Sequence, residues 1–143
     1  MNSDKLEEIL KEVYKSKSVE EVLKKYGWQD FESFVSWIFE QHDFETKIHY
    51  RFKTDKRYEI DVLAKKYSKF LLVECKRWRG KTATRSKITK AVEYHKKKLE
   101  EFLKLHKSKT EGIIVTLLDQ TDEVDGIKIV PVSKLNYFLL NYF

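Results

Sequence analysis

The sequence contains little cysteine, proline, glycine or methionine. Its 143 residues include one cysteine, one proline, four glycines and one methionine. A lone cysteine, Cys75, excludes a disulfide framework and a zinc site built on cysteines. No run of 18 apolar residues occurs, and the N-terminus has no apolar signal-peptide core. These absences predict a soluble protein in a reducing compartment, the cytoplasm, with no membrane partner.

Charge is abundant but unevenly distributed. Lys and Arg number 29 against 23 Asp and Glu, a formal net charge of +6. Between Lys65 and Lys109 there are 16 basic and 4 acidic residues, a net of +12, so the rest of the chain carries −6. Such a basic segment favours nucleic acid as a partner, because each neutralised phosphate releases counterions. A solvated, lysine-rich surface explains the same charge.

Hydrophobic periodicity predicts ten elements and one α/β domain spanning residues 1–143. Amphipathic helices are expected over 4–16 and 19–26, and a third helix is expected to begin at Asp30. Five strands are predicted, at Glu45–Lys53, Tyr58–Lys65, Lys69–Trp78, Gly112–Leu118 and Ile127–Val132. A long helix is expected over Arg85–His106, and a short apolar one ends the chain.

Two acidic residues, Asp61 and Glu74, are predicted to face each other across a hairpin. A turn centred between Tyr67 and Ser68 pairs residues whose numbers sum to 135, which sets Asp61 opposite Glu74. Two carboxylates directly across a sheet repel each other, and apolar neighbours indicate that both lie near the core. Like charges in that position either lose a charge or share a cation. Mg²⁺ is the expected cation because it takes one or two carboxylates and keeps several waters, and Mn²⁺ is expected to substitute.

Lys76 lies two residues beyond Glu74 on the same strand face. Its ammonium could position a metal-bound water and stabilise developing negative charge. A Lewis acid, an activated water and a cation together make a site for phosphodiester hydrolysis. The register also places Glu59 opposite Lys76, so an ion pair between them is expected.

The pattern of Asp61 followed thirteen residues later by Glu74-Cys75-Lys76 resembles the PD-(D/E)xK nuclease superfamily. Ile60 stands where the motif has proline. A second Glu-x-Lys at Glu45-Thr46-Lys47 has no upstream strand aspartate. Within the superfamily the chain looks most like archaeal restriction-endonuclease-like proteins of the Mrr type, and Holliday-junction resolvases are also similar.

The resemblance implies roles for four residues and a fold. Asp61 and Glu74 would be metal ligands, Lys76 the catalytic lysine, and Glu32 an accessory acid and third ligand on the preceding helix. The fold would be a restriction-endonuclease-like core over 27–143, a mixed five-stranded sheet flanked by helices, with residues 1–26 as an extra helical pair. The activity implied is a metal-dependent DNA endonuclease. The alternatives are a non-catalytic nucleic-acid-binding module and an RNA-directed nuclease.

Basic residues that follow the motif are expected to contact phosphates without reading bases. They are Arg77, Arg79, Lys81, Arg85, Lys87 and Lys90. No sequence-reading module is evident, so recognition of DNA structure, duplex or branched, or a separate specificity partner is expected. The apolar C-terminal segment, 137–143, predicts a homodimer. His49 is expected to be exposed on the first strand, and His95 to pad a helix face.

Overall fold

The computed structural model describes residues 3–15, 18–78, 80 and 83–142. The helices are α1 (Ser3–Tyr14), α2 (Val19–Leu23), α3 (Trp28–Gln41), α4 (Arg85–Leu105) and α5 (Val132–Leu140). The strands are β1 (Glu45–Lys53), β2 (Arg57–Lys66), β3 (Lys69–Lys76), β4 (Thr110–Thr116), β5 (Asp122–Val124) and β6 (Ile127–Pro131). None of the helices in the described ranges is both long and apolar enough to span a bilayer.

The strands form one mixed sheet in the order β1-β2-β3-β4-β6-β5. Strands β3, β4 and β6 are parallel, while β1, β2 and β5 pair antiparallel with their neighbours. The expected count of five strands was wrong, because β5 adds a sixth at the edge. It pairs with β6 across Asp125-Gly126, both with positive φ. An Asp-Gly pair is a strong hairpin signal, but β5 is only three residues long and has a single apolar residue, Val124, so it shows no hydrophobic alternation.

Helices cover both faces of the sheet. On one face α1, α2, α3 and α5 enclose the largest apolar cluster, to which α1 and α2 contribute the fully buried Ile9 and Leu23. On the other face α4 crosses the sheet. Its first half packs on β4 and β6 around Val92, and its second half packs on β2 and β3 around Phe102. This crossing brings the middle of α4 over the strand pair that carries the acidic residues.

The β2–β3 hairpin has the predicted register. The pairs from Lys66–Lys69 to Val62–Val73 all sum to 135. The two-residue loop is Tyr67-Ser68, and both residues have positive φ, as the hairpin turn that matches strand twist requires. Turn geometry therefore fixes which side chains of β2 and β3 meet.

Helix α3 begins earlier than predicted. Its cap is Gly27, in extended conformation, and not Asp30. Asp30 lies in the first turn, where its carboxylate pairs with Lys5 of α1 at 3.1 Å. The shift adds Trp28 to the helix and places Glu32 in its second turn.

Candidate active site

The candidate site lies where β2 and β3 separate. Beyond the Val62–Val73 pair the ladder stops, and the carboxylate of Asp61 accepts the backbone N–H of Cys75 at 2.8 Å. A side chain thereby replaces a backbone carbonyl as the acceptor. The exchange places Asp61 against Glu74, although these two residues are not themselves a pair of the ladder.

The half-buried Asp61 and the buried Glu74 behave as one coupled acidic pair. Burial, and then the adjoining Glu74 carboxylate, raise the pKa of Asp61 to about 9. Burial alone would raise the pKa of Glu74 as well, but hydrogen bonding with Asp61 and the charge of Lys98 hold it below its usual range. The two pKa values shift in opposite directions, as expected for two carboxyl groups close enough to share one proton.

Lys98 on α4 is the cation that pairs with Glu74. Its side chain is 6% exposed, and its Nζ lies 2.9 Å from Glu74 Oε2. The fully buried His95 lies one turn earlier, with Nδ1 at 3.7 Å from the same oxygen. Its Nε2–H donates to the Leu72 carbonyl at 2.8 Å. Burial lowers the pKa of His95, so the ring is neutral and its Nδ1 is a lone pair facing the site.

Glu32 approaches the pair from α3, on the opposite face of the sheet from α4. It is buried, and its Oε1 lies 2.7 Å from Nε2 of His49. Its charge contributes to the raised pKa of Asp61, which indicates that the two carboxylates are near each other. Glu32 thus lies on the α3 side of the Asp61–Glu74 pair, with His49 as its direct partner.

The expectation that His49 is simply exposed was wrong. It stands opposite Asp61 in the β1–β2 register, but its φ of 54° interrupts the ladder there. This turn of the backbone aims the ring at Glu32 and against Trp28, with ring centroids 5.7 Å apart. Positive φ at a non-glycine residue within a strand is uncommon and persists only where surrounding contacts hold it. No hydrophobic pattern signals it.

Lys76 is half-buried at the end of β3, on the face of Glu74 by strand alternation. Within the described part of the chain it makes no ion pair. The expected partner Glu59 is bound instead to Arg51, its cross-strand neighbour on β1, at 3.0 Å. The Lys76 ammonium is therefore available to an anionic ligand.

The donor set suits a hard divalent cation that needs few protein ligands and takes water for the rest. Among the described residues, no three His, Cys, Asp or Glu side chains converge to ligate one ion. Two carboxylates that share a proton are, however, the arrangement that a cation would relieve, and Mg²⁺ needs no more than one or two of them. Asp61 and Glu74 fit such an ion. Glu32, held by His49, would reach it only after releasing that bond.

The predicted phosphate-contacting residues divide into three groups. Arg85, Lys87 and Lys90 are exposed on the first turns of α4, which follows β3 through a short loop. Arg77 is half-buried, and its guanidinium donates to the Lys24 carbonyl at the end of α2, so it is partly committed to the fold. Arg79 and Lys81 lie outside the described residues.

Two exposed aromatic side chains near the site were missed by the sequence analysis. Trp28 is 52% exposed beside His49, and Tyr94 is 48% exposed, with Lys98 Nζ 4.8 Å from its ring centre. Aromatic spacing on a helix is usually a sign of core packing, so the sequence offered no reason to place either ring in solvent.

The chain thus combines an α/β sheet covered by helices on both faces with an acid pair and a lysine on its β2–β3 hairpin. The family model of restriction endonuclease domains, Mrr_cat, matches residues 23–125. The chain belongs to this restriction endonuclease-like family, and the resemblance inferred from the motif is confirmed.

The chain is similar to two further proteins, one in sequence and one in fold. An uncharacterised protein of Archaeoglobus fulgidus is 35% identical over 116 residues, which cover 80% of this chain and 90% of the relative. A crystal structure of a protein of unknown function, AF1548, superposes with a TM-score of 0.55 at 22% identity. That match covers 75% of this chain, and this chain spans 59% of that protein. The second likeness concerns the fold alone.

Proposed function

We propose that this protein is a metal-dependent DNA endonuclease that hydrolyses phosphodiester bonds. The observation that carries the proposal is the contact of Asp61 with the buried Glu74, with Lys76 on the strand face of Glu74, in a chain of a restriction endonuclease-like family. Asp61, Glu74, Lys76 and Glu32 are the proposed catalytic residues. Mg²⁺, with Mn²⁺ as a substitute, is the proposed cofactor.

Each residue of the candidate site has a separate role in this proposal. A divalent ion bound by Asp61 and Glu74 would supply a Lewis acid and lower the pKa of a coordinated water. The Lys76 ammonium binds a non-bridging oxygen of the scissile phosphate and stabilises the charge that develops on it. His49 holds Glu32 on the α3 side of the site. Glu32 would become a metal ligand only after releasing this bond.

The start of α4 supports DNA as the substrate. Arg85, Lys87 and Lys90 project into solvent from the helix that follows the candidate site. Exposed cations suit contacts to phosphates, which orient the nucleic acid without reading its bases.

Cleavage assays test the proposal. The full chain is incubated with supercoiled plasmid, synthetic four-way junctions and RNA, in Mg²⁺ or in EDTA. We expect metal-dependent cutting of DNA, abolished by Asp61→Asn and reduced at least about 100-fold by Lys76→Met, which removes the charge but keeps the bulk. The second Glu-x-Lys provides a matched control, because Glu45→Gln and Lys47→Met change the same residue types outside the site.

Three results would contradict the proposal in different ways. Equal cutting by the Asp61 and Lys76 variants would remove the site assignment. Preference for RNA would change the substrate, and DNA binding without cleavage in any metal would favour a binding module.

We further propose a homodimer. Helix α5 buries Leu135 and Leu139 but leaves Tyr137 and Leu140 72% and 65% exposed. A second copy packed on this surface would cover both side chains and supply a second site, as cutting both strands of a duplex requires. Sedimentation equilibrium of the chain and of Leu140→Lys distinguishes a dimer that the variant dissociates from a monomer.

A further inference from the structure

Lys98 is buried beside Glu74, one of the proposed metal ligands. Its side chain is 6% exposed, its ammonium lies 2.9 Å from Glu74 Oε2, and the Tyr94 ring lies 4.8 Å from the same ammonium. Taking a lysine and a carboxylate out of water costs free energy, and apolar residues of similar volume often serve a core equally well. A pair of this kind therefore points to a role at the site.

The surroundings of Glu74 show what Lys98 supplies. The neutral His95 ring presents an Nδ1 lone pair to the same carboxylate oxygen, and this Nδ1 has no hydrogen-bond partner among the described residues. The groups gathered here, His95 Nδ1 and the carboxyl groups of Glu74 and Asp61, are all acceptors or acids. Lys98 is the group that brings positive charge into direct contact with Glu74 in the described residues.

Lys98 also restricts how Glu74 can bind a metal. One oxygen, Oε2, is held by the ammonium, which leaves Oε1 for an incoming ion. A divalent ion on Oε1 is repelled by the ammonium a few ångströms away, in surroundings of low dielectric. The lysine therefore lowers the affinity for the ion, yet it stabilises the carboxylate when no ion is bound.

We propose that Lys98 is a positioning residue that serves as a resident cation: it neutralises and orients Glu74 without metal, and it competes with the divalent ion when metal binds. This inference rests on the proposed function, because it takes Asp61 and Glu74 as the metal ligands. It adds a residue that belongs neither to the Asp…Glu-x-Lys motif nor to the exposed basic surface.

Mn²⁺ binding to the full-length chain tests the proposal, with free Mn²⁺ measured by electron paramagnetic resonance. The variants are Lys98→Met, which keeps the bulk without charge, and Lys98→Gln, which also keeps a hydrogen-bond donor. Lys97→Met is the matched control, since it removes a lysine charge from the same helix at a residue that pairs with Glu101. We expect both Lys98 variants to bind Mn²⁺ about tenfold more tightly than the wild type. The control is expected to stay within about twofold, because its charge lies in solvent.

Unchanged or weaker Mn²⁺ binding by the folded Lys98 variants would overturn the proposal. A variant that is unfolded without metal is expected to refold in saturating Mn²⁺, since the ion then neutralises Glu74 in place of the ammonium. Failure to refold would equally count against it. If the wild type binds Mn²⁺ and cuts DNA while Lys98→Met binds no more tightly, only the role of Lys98 is lost. A wild type that neither binds Mn²⁺ nor cuts DNA would contradict the proposed function itself.

Discussion

Each acidic side chain at the candidate site is satisfied by a group from another segment of the chain. The three pairs are Asp61 with the Cys75 N–H, Glu74 with Lys98, and Glu32 with His49. An unpaired buried carboxylate would cost several kcal/mol, so these partners are what allow the acids to be buried at all. They also fix each carboxylate before any ligand arrives.

The raised pKa of Asp61 predicts how stability depends on pH. Between the ordinary pKa of an aspartate, about 3.9, and about 9, the folded metal-free chain holds a proton that the unfolded chain has released. Stability from this group is therefore complete at low pH and is lost as pH rises to 9. Urea unfolding in EDTA at pH 5 to 9 should show this decline in the wild type and a flatter profile in Asp61→Asn. The exposed Asp119→Asn is the control, and identical slopes in all three chains would contradict the assignment.

Substitution of His49 is expected to lower the free energy of unfolding. Asn tolerates positive φ, so His49→Asn keeps the backbone and removes the bond to Glu32. We expect a decrease of about 1–3 kcal/mol in the free energy of unfolding, because a buried carboxylate loses its donor. Adding Glu32→Gln should recover part of this loss, since a neutral amide is less costly to bury. A single variant as stable as the wild type would show that the contact contributes nothing.

At this scale the sequence predicted the acids but not their partners. Asp61 and Glu74 follow from strand register and motif spacing, which are local properties, whereas Glu32 was implied only by the family resemblance. Lys98 is one of three consecutive lysines, and the angle at which α4 crosses the sheet decides which of them is buried. His49 depends on a backbone conformation that residue type alone does not signal.

Among the elements, α4 and the β2–β3 hairpin determine the site. The hairpin sets Asp61 opposite Glu74, and α4 lies over β3 closely enough for His95 to contact the Leu72 carbonyl and Glu74. The order and type of ten elements were predictable, because their apolar periods are long and regular. The short strand β5 and the start of α3 were not, since each depends on two or three residues.

The close packing of α4 on the sheet at Gly112 of β4 can be tested by substitution. A Cβ at this position would lie 3.1 Å from a ring carbon of His95 and from the Ile127 side chain. Gly112→Ala is therefore expected to lower the free energy of unfolding by about 1–3 kcal/mol through overpacking. Combining it with Ile127→Val should restore part of the loss in the same urea titration. An unchanged midpoint would mean that the helix has room to move.

At the scale of the whole molecule, the structure shows where the excess positive charge of the sequence lies. The +12 segment includes the exposed start of α4, while the buried Lys98 belongs to the site and adds nothing to the surface. The net charge of +6 thus understates how basic the surface next to the candidate site is. Nucleic acid would meet that surface before it reached Asp61 and Glu74.

DNA binding should depend on this surface more than on total charge. We expect the triple variant Arg85→Glu, Lys87→Glu, Lys90→Glu to weaken binding and to lower the slope of log K against log salt by about 3, as three lost phosphate contacts require. Fluorescence anisotropy over a range of NaCl concentrations measures both. The control variant carries the same charge change at Lys11, Lys128 and Lys134, which belong to α1, β6 and α5. Equal losses in both variants would indicate a non-specific effect of net charge.

The central claim is that Asp61 and Glu74 together hold a divalent ion. Anomalous scattering from crystals of the full chain grown with Mn²⁺ tests this claim most directly, because it locates the ion and its ligands. We expect one strong peak within bonding distance, about 2.0–2.3 Å, of an oxygen from each carboxylate. A peak elsewhere with none between these carboxylates, or no peak while Mn²⁺-dependent cleavage persists, would contradict the account.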